Sequence, residues 1–117
     1  MRLYGISNCD TVKRARAWLA QRGADHTYHD FKKSGVPEDR LDAWIAAAGW
    51  QTLVNRKGTT WRKLDDRTQH SVVDAASARA LMLAQASVIK RPVVEWPGGA
   101  VTVGFDGDAW AALLQRQ

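Results

Sequence analysis

Between Met1 and Phe31 the hydrophobic pattern changes twice, and this alternation restricts the possible folds more than any other feature of the chain. "RLYG" (Arg2 to Gly5) reads as a short strand: Leu3 is apolar, Tyr4 is aromatic and a glycine ends it. "DTVKRARAWLAQRG" then reads as a helix. Val12, Ala15 and Leu19 share one face at i, i+3, i+7, Trp18 lies beside them, and the basic residues take the other side. Gly23 suits the helix stop. "DHTYHDF" follows as a second strand, with Thr27 and Tyr28 suited to a pleated surface. Two strands joined by a helix in so little chain make a βαβ unit, which implies parallel pairing.

The middle of the chain reads as helical. "KKSGVPEDRLDAWIAAAGW" is a loop and then a helix, with Pro37 in the first turn, Glu38 and Asp39 at the positive end of the dipole, and a stripe of Leu41, Trp44, Ile45 and Ala48. "QTLVNRKGTTWRKL" is irregular, a short helical turn and a loop around Gly58. "SVVDAASARALMLAQ" is another helix, with Ser71 as its expected cap and Asp74 three residues on. The pattern then returns to strands. "VVEW" and "AVTVGF" flank the turn signal Pro97-Gly98-Gly99 and predict a hairpin. Asp106 can cap a last helix whose predicted buried face is Ala109, Trp110, Leu113 and Leu114.

A chain of 117 residues fits one domain, 1–117. It has one cysteine, so no internal disulfide can form, and this suits a reducing compartment. "MRLYGISNCD" has no apolar core of a signal peptide, and no apolar run is long enough to span a bilayer, so a cytoplasmic protein with no membrane partner is expected. The net charge of +5 is compatible with anionic partners. The basic residues are scattered without the aromatic interleaving of a nucleic-acid platform, so no nucleic acid is expected. His26 and His29 fall in a strand with no zinc-like ligand spacing, and no metal is expected. Trp61 and Trp96 lie in loop-like contexts, where packing is a plainer role than lining a groove.

The cysteine is where chemistry concentrates. Cys9 lies where the first strand has ended and the first helix begins. Helix N-terminal N–H groups and the dipole favour negative charge there, which lowers a thiol pKa and makes a nucleophile without a histidine base. Lys13, Arg14 or Arg16 can add to this, and Asp10 opposes it. The alternative is a small buried, inert residue. The order βαβ…ββα with a cysteine at the first helix start is the thioredoxin-like arrangement. In such folds the position of Pro92, opening the hairpin strand, carries a cis-proline beside the reactive cysteine; the plainer alternative is a proline that merely begins a strand.

Four segments, "YGISNCDTVKRARAWL", "LVNRKGTTWRKL", "IKRPVV" and "VGFDGDAW", resemble in order the motifs of the arsenate-reductase-like (ArsC/Spx) superfamily, in its arsenate-reductase-related YffB-type branch. The resemblance covers nearly the whole chain. It implies an α/β thioredoxin-like (glutaredoxin-type) fold, a four-stranded mixed sheet with an inserted helical region at 37–86. It also implies that Cys9 is the catalytic cysteine and that Arg56 and Arg91 hold an oxyanion or glutathione, a role that suits the guanidinium fork. Three departures stand out. Gly104 occupies the place of a third arginine of arsenate reductases. Gly5-Ile6-Ser7 lacks their histidine, and His26, His29 and His70 lie elsewhere. Val12 occupies the second position of the C-x-x-C switch found in Spx-type regulators.

The expectation is therefore a thiol-dependent oxidoreductase that binds no resident cofactor. Cys9 attacks an oxidised substrate, either a mixed disulfide or a small oxyanion, through a mixed-disulfide intermediate that an external thiol resolves, with glutathione as co-substrate and glutaredoxin as a further partner. Arg56, Arg91 and Lys13 would receive the glutathione carboxylates, and arsenate reduction is not expected. The alternative is an Spx-like module that binds RNA polymerase through its basic surface without catalysis.

Overall fold

The computed structural model describes residues 1–116. The N-terminal part follows the periodicity closely. Strand β1 (Arg2–Gly5), helix α1 (Asp10–Gln21) and strand β2 (Thr27–Asp30) succeed one another, and a single helical turn, α2 (Phe31–Ser34), follows directly. β1 and β2 pair in parallel, from Arg2 against Thr27 to Gly5 against Asp30. On α1 the predicted face is the buried one: Val12, Ala15 and Leu19 are all buried.

The helical middle comprises α3 (Glu38–Ala48), α4 (Trp50–Leu53), α5 (Thr59–Arg62), α6 (Asp66–Ser71), α7 (Ala75–Ala84) and a 3-10 turn at Ala86–Val88. Pro37 is the residue before α3 and accepts the Leu41 N–H at its carbonyl, so it stands one position outside the helix rather than in its first turn. Leu41 and Trp44 are fully buried, while Ile45 and Ala48 are only half-buried. Ser71 does not cap α7. It ends α6, and Asp74 is the cap, accepting the Ser77 N–H at 2.8 Å in a capping box with the Ser77 hydroxyl. A carboxylate three residues nearer the apolar run does the same job with a full charge at the positive end of the dipole.

The chain then returns to the sheet through β3 (Val93–Glu95), β4 (Val101–Val103) and the last helix, α8 (Gly107–Gln115). β3 is antiparallel to both β1 and β4, and the order across the sheet is β2-β1-β3-β4. Asp106 caps α8 by accepting the Ala109 N–H. Trp110 is the buried residue of α8; Leu113 and Leu114 are half-buried, and Ala109 is exposed because it belongs to the opposite side of the first turn. A βαβ half and a ββα half on one mixed sheet make a thioredoxin-like fold.

By its contacts the described chain divides into two compact units, Gly35–Lys90 and Met1–Ser34 with residues 91–116. The core of the sheet unit joins Leu3, Val12, Ala15, Leu19, Val94, Trp96 and Trp110. Trp96 is therefore a packing residue, with its indole N–H bonded to the Thr102 hydroxyl at 2.8 Å. The helical unit has its own core around Leu41, Trp44, Leu53, Met82 and Ile89. Among the described residues no helix is long and apolar enough to cross a membrane.

Candidate functional site

Cys9 is the residue immediately before α1, with extended backbone angles, and its carbonyl accepts the Lys13 N–H at 3.0 Å. Its own N–H donates to the Ile6 carbonyl at 3.1 Å, so Ile6 to Cys9 form a tight turn between β1 and α1. Close approach of strand and helix depends on Gly5: a Cβ there would come within 2.7 Å of a Val12 methyl. Val12 is 1% exposed. The second position of a C-x-x-C motif is thus a core residue that holds α1 on β1.

The sheet register explains the other partner of the thiol. Arg2 opposes Glu95, Leu3 opposes Val94 and Tyr4 opposes Val93. Continued past the end of β1, this register brings residue 91 beside residue 6, at the foot of the Cys9 turn. From there the Arg91 guanidinium favours the charged form of the Cys9 thiol. The Arg91–Pro92 peptide is cis.

The thiol is half-buried. Burial alone pushes its pKa up. The Val12 N–H, the Arg91 guanidinium and the Thr11 N–H together outweigh that, and the pKa lies below the ordinary cysteine value. No side-chain hydrogen bond of conventional length and angle closes the α1 cap. The N–H groups of Val12 and Thr11 act as aligned dipoles that favour the thiolate.

The remaining predicted residues divide. Cys9, Arg91 and Pro92 are brought together. Lys13 is exposed and joins this group through its backbone N–H to Cys9. Arg56 belongs to the helical unit, where its guanidinium lies 5.7 Å from the Trp50 ring and 5.5 Å from the Trp61 ring. There it lines an open cavity of about 280 Å³ with Asn55, Lys57 and Lys90. The segment carrying it is pinned by a Val54–Ile89 bridge and by the Lys90 N–H on the Leu53 carbonyl at 2.7 Å.

Gly104, which stands where a third arginine was expected, is buried, has φ 87° and donates its N–H to the Pro92 carbonyl at 2.9 Å. Residues with a side chain rarely adopt that conformation, so the backbone here suits glycine. The histidines serve other ends. His26 accepts from the Arg16 side chain at 3.3 Å, and His29 packs against the Tyr4 ring with centroids 5.2 Å apart.

One residue near the cysteine escaped the sequence reading. Asp30, at the end of β2, is the buried charged residue of the described chain, at 8% exposure. It accepts the Ser7 hydroxyl at 2.6 Å and the Lys32 N–H at 2.8 Å. The available signal was a carboxylate standing between a strand and a following helical turn, the usual place of an N-cap.

The ArsC family pattern matches residues 4–113. An uncharacterised protein of Haemophilus influenzae is 37% identical over 112 residues, which covers 96% of each chain. The global transcriptional regulator Spx of Streptococcus pyogenes is 25% identical over 117 residues, 97% of this chain and 84% of the regulator. Among solved structures, a YFFB protein superposes with a TM-score of 0.90 at 50% identity, covering 97% of both chains. An arsenate reductase (ArsC) related protein from Brucella melitensis superposes with a TM-score of 0.74 at 48% identity, covering 97% of this chain and 93% of the other. One family pattern thus runs from β1 through the Cys9 turn to α8, and the chain belongs to the ArsC family.

Proposed function

We propose that the protein is a glutathione-dependent thiol reductase with Cys9 as its single nucleophile. The observation that carries this reading is the thiol at the start of α1, drawn toward its thiolate by Arg91 and two backbone N–H groups. The substrate is a mixed disulfide between glutathione and another thiol. The Cys9 thiolate attacks the glutathione sulfur, a new S–S bond forms and the substrate thiolate leaves. A glutathione thiolate then attacks the same sulfur, releasing Cys9 and forming glutathione disulfide. One disulfide is consumed and one is made, so the electrons balance. The chain has one cysteine, so the second thiol must come from outside. The glutathione carboxylates suit Arg91 and Lys13, which belong to the same unit as Cys9.

The test is turnover of a small-molecule glutathione mixed disulfide by wild type and Cys9→Ser, with mass spectrometry of the trapped enzyme. Glutathione-dependent turnover and a one-glutathione adduct, both absent in Cys9→Ser, are expected. Wild-type turnover no faster than Cys9→Ser would reject the reading.

The likeness to Spx along most of its length favours a second reading, a non-catalytic module that binds RNA polymerase. That reading predicts capture of polymerase by the immobilised protein, undiminished in Cys9→Ser. The absence of a C-x-x-C pair, with Val12 in the second position, removes a disulfide switch from it.

A further inference from the structure

Asp30 has no place in the chemistry above, yet it is buried, charged and bonded on both carboxylate oxygens. Oδ1 accepts the Lys32 N–H at 2.8 Å, and the Lys33 N–H adds to this, so the carboxylate is anchored on the first turn of α2. Oδ2 accepts the Ser7 hydroxyl at 2.6 Å. Ser7 also lies 3.3 Å from the Tyr28 hydroxyl. Ser7 is the second residue of the Ile6–Cys9 turn, which the Cys9 N–H also closes on the Ile6 carbonyl. Ser7 and Asn8 are themselves exposed. An exposed turn of this kind is mobile unless something inside the fold holds it.

We propose that Asp30 is a positioning residue for Cys9: its carboxylate, fixed on α2, holds Ser7 and so keeps the turn in the one conformation that presents the thiol to the start of α1 and to Arg91. This rests on the reading of Cys9 as a reactive thiol. The charged and polar groups that face the two residues are Arg91 and the Thr11 and Val12 N–H groups at Cys9, with Asp10 next in the chain, and Lys33, Ser7 and the two α2 N–H groups at Asp30. Asp30 is an anion, so a purely through-space effect on Cys9 has the opposite sign from positioning. Neutralising it would make the thiolate easier to form, whereas releasing the turn makes it harder.

The experiment is the pH dependence of Cys9 alkylation by iodoacetamide in wild type, Ser7→Ala, Ser7→Thr and Asp30→Asn, with circular dichroism to establish that each is folded. Ser7→Ala removes an exposed hydroxyl and leaves the core intact. It is expected to slow alkylation at pH 7 about threefold, the weight of one hydrogen bond of modest net strength. Its titration should move toward that of an ordinary thiol. Ser7→Thr, which keeps the hydroxyl, should restore wild-type behaviour. Asp30→Asn has one acceptor oxygen where the carboxylate has two and should also slow the reaction. A depressed wild-type titration left unchanged in Ser7→Ala, or faster alkylation in Asp30→Asn, overturns the inference and leaves the reactive thiol standing. A wild-type thiol that titrates as an ordinary cysteine overturns both.

Discussion

At Cys9, burial works against the thiolate while Arg91 and the first N–H groups of α1 work for it, and the second set prevails. The contribution of Arg91 is open to direct measurement. Arg91→Ala should slow alkylation of Cys9 at neutral pH about threefold, the size of one solvent-screened charge pair. Arg91→Lys should recover part of the rate, because the charge remains and the planar fork does not. Equal rates in all three proteins would place the activation in the helix terminus alone. A second expectation concerns Gly104, whose backbone angle and bond to Pro92 leave no ready place for an arginine. With arsenate, glutathione and glutaredoxin supplied, the protein should show no turnover above its Cys9→Ser variant. Cysteine-dependent turnover in a coupled NADPH assay would contradict this.

The elements hold the site through close contacts rather than through many interactions. α1 reaches β1 only because Gly5 has no side chain, and Gly5→Ala would drive a Cβ into a Val12 methyl at 2.7 Å. Val12 is buried and β-branched, so it cannot swing away. The substitution should cost about 1–3 kcal/mol in urea unfolding. It should also displace the turn that carries Cys9, and an unchanged midpoint would mean that α1 shifts freely on the sheet. In the helical unit the capping box of Asp74 and Ser77 starts α7. Asp74→Ala should lower the melting temperature, whereas Ser71→Ala, at the position read from sequence as the cap, should change it less. The reverse ranking would count against Asp74 as the cap.

For the molecule as a whole, these local interactions appear as a dependence of stability on pH. The Ser7 hydrogen bond, with the α2 N–H groups, holds the Asp30 pKa below the usual carboxylate range. Its contribution is therefore complete above the unfolded value of about 3.9 and is lost as pH falls through the lower folded value. The Thr68 bonds act likewise on Asp65, and those of Ser77 on Asp74. Tyr4 has the opposite sign. Burial, with the 2.8 Å hydrogen bond to Glu95, raises its pKa. Its contribution is complete below about 10 and is lost as pH rises through the folded value. Urea unfolding followed by tryptophan fluorescence should therefore show stability falling at both ends of the range. Asp30→Asn should remove part of the acid-side loss and leave the alkaline side untouched; an acid limb identical to wild type would mean that Asp30 is no more ionised in the fold than out of it.

The element order, the parallel βαβ start, the buried face of α1, the hairpin and the Asp106 cap were all legible in the sequence, because each depends on side-chain periodicity or turn chemistry within a few residues. The position of Cys9 at a helix start is local in the same sense. What sequence could not supply was set by strand register. Only the antiparallel pairing of β1 with β3 brings Arg91 to a cysteine far from it in the chain, and only the parallel pairing of β1 with β2 carries Asp30 to Ser7. The choice of Asp74 over Ser71 was likewise decided by where the α6 turn ends. Local pattern specifies which face of an element is apolar. Which distant polar groups then meet is settled by pairing and packing, since a shift of one residue along a strand turns every side chain to the other face.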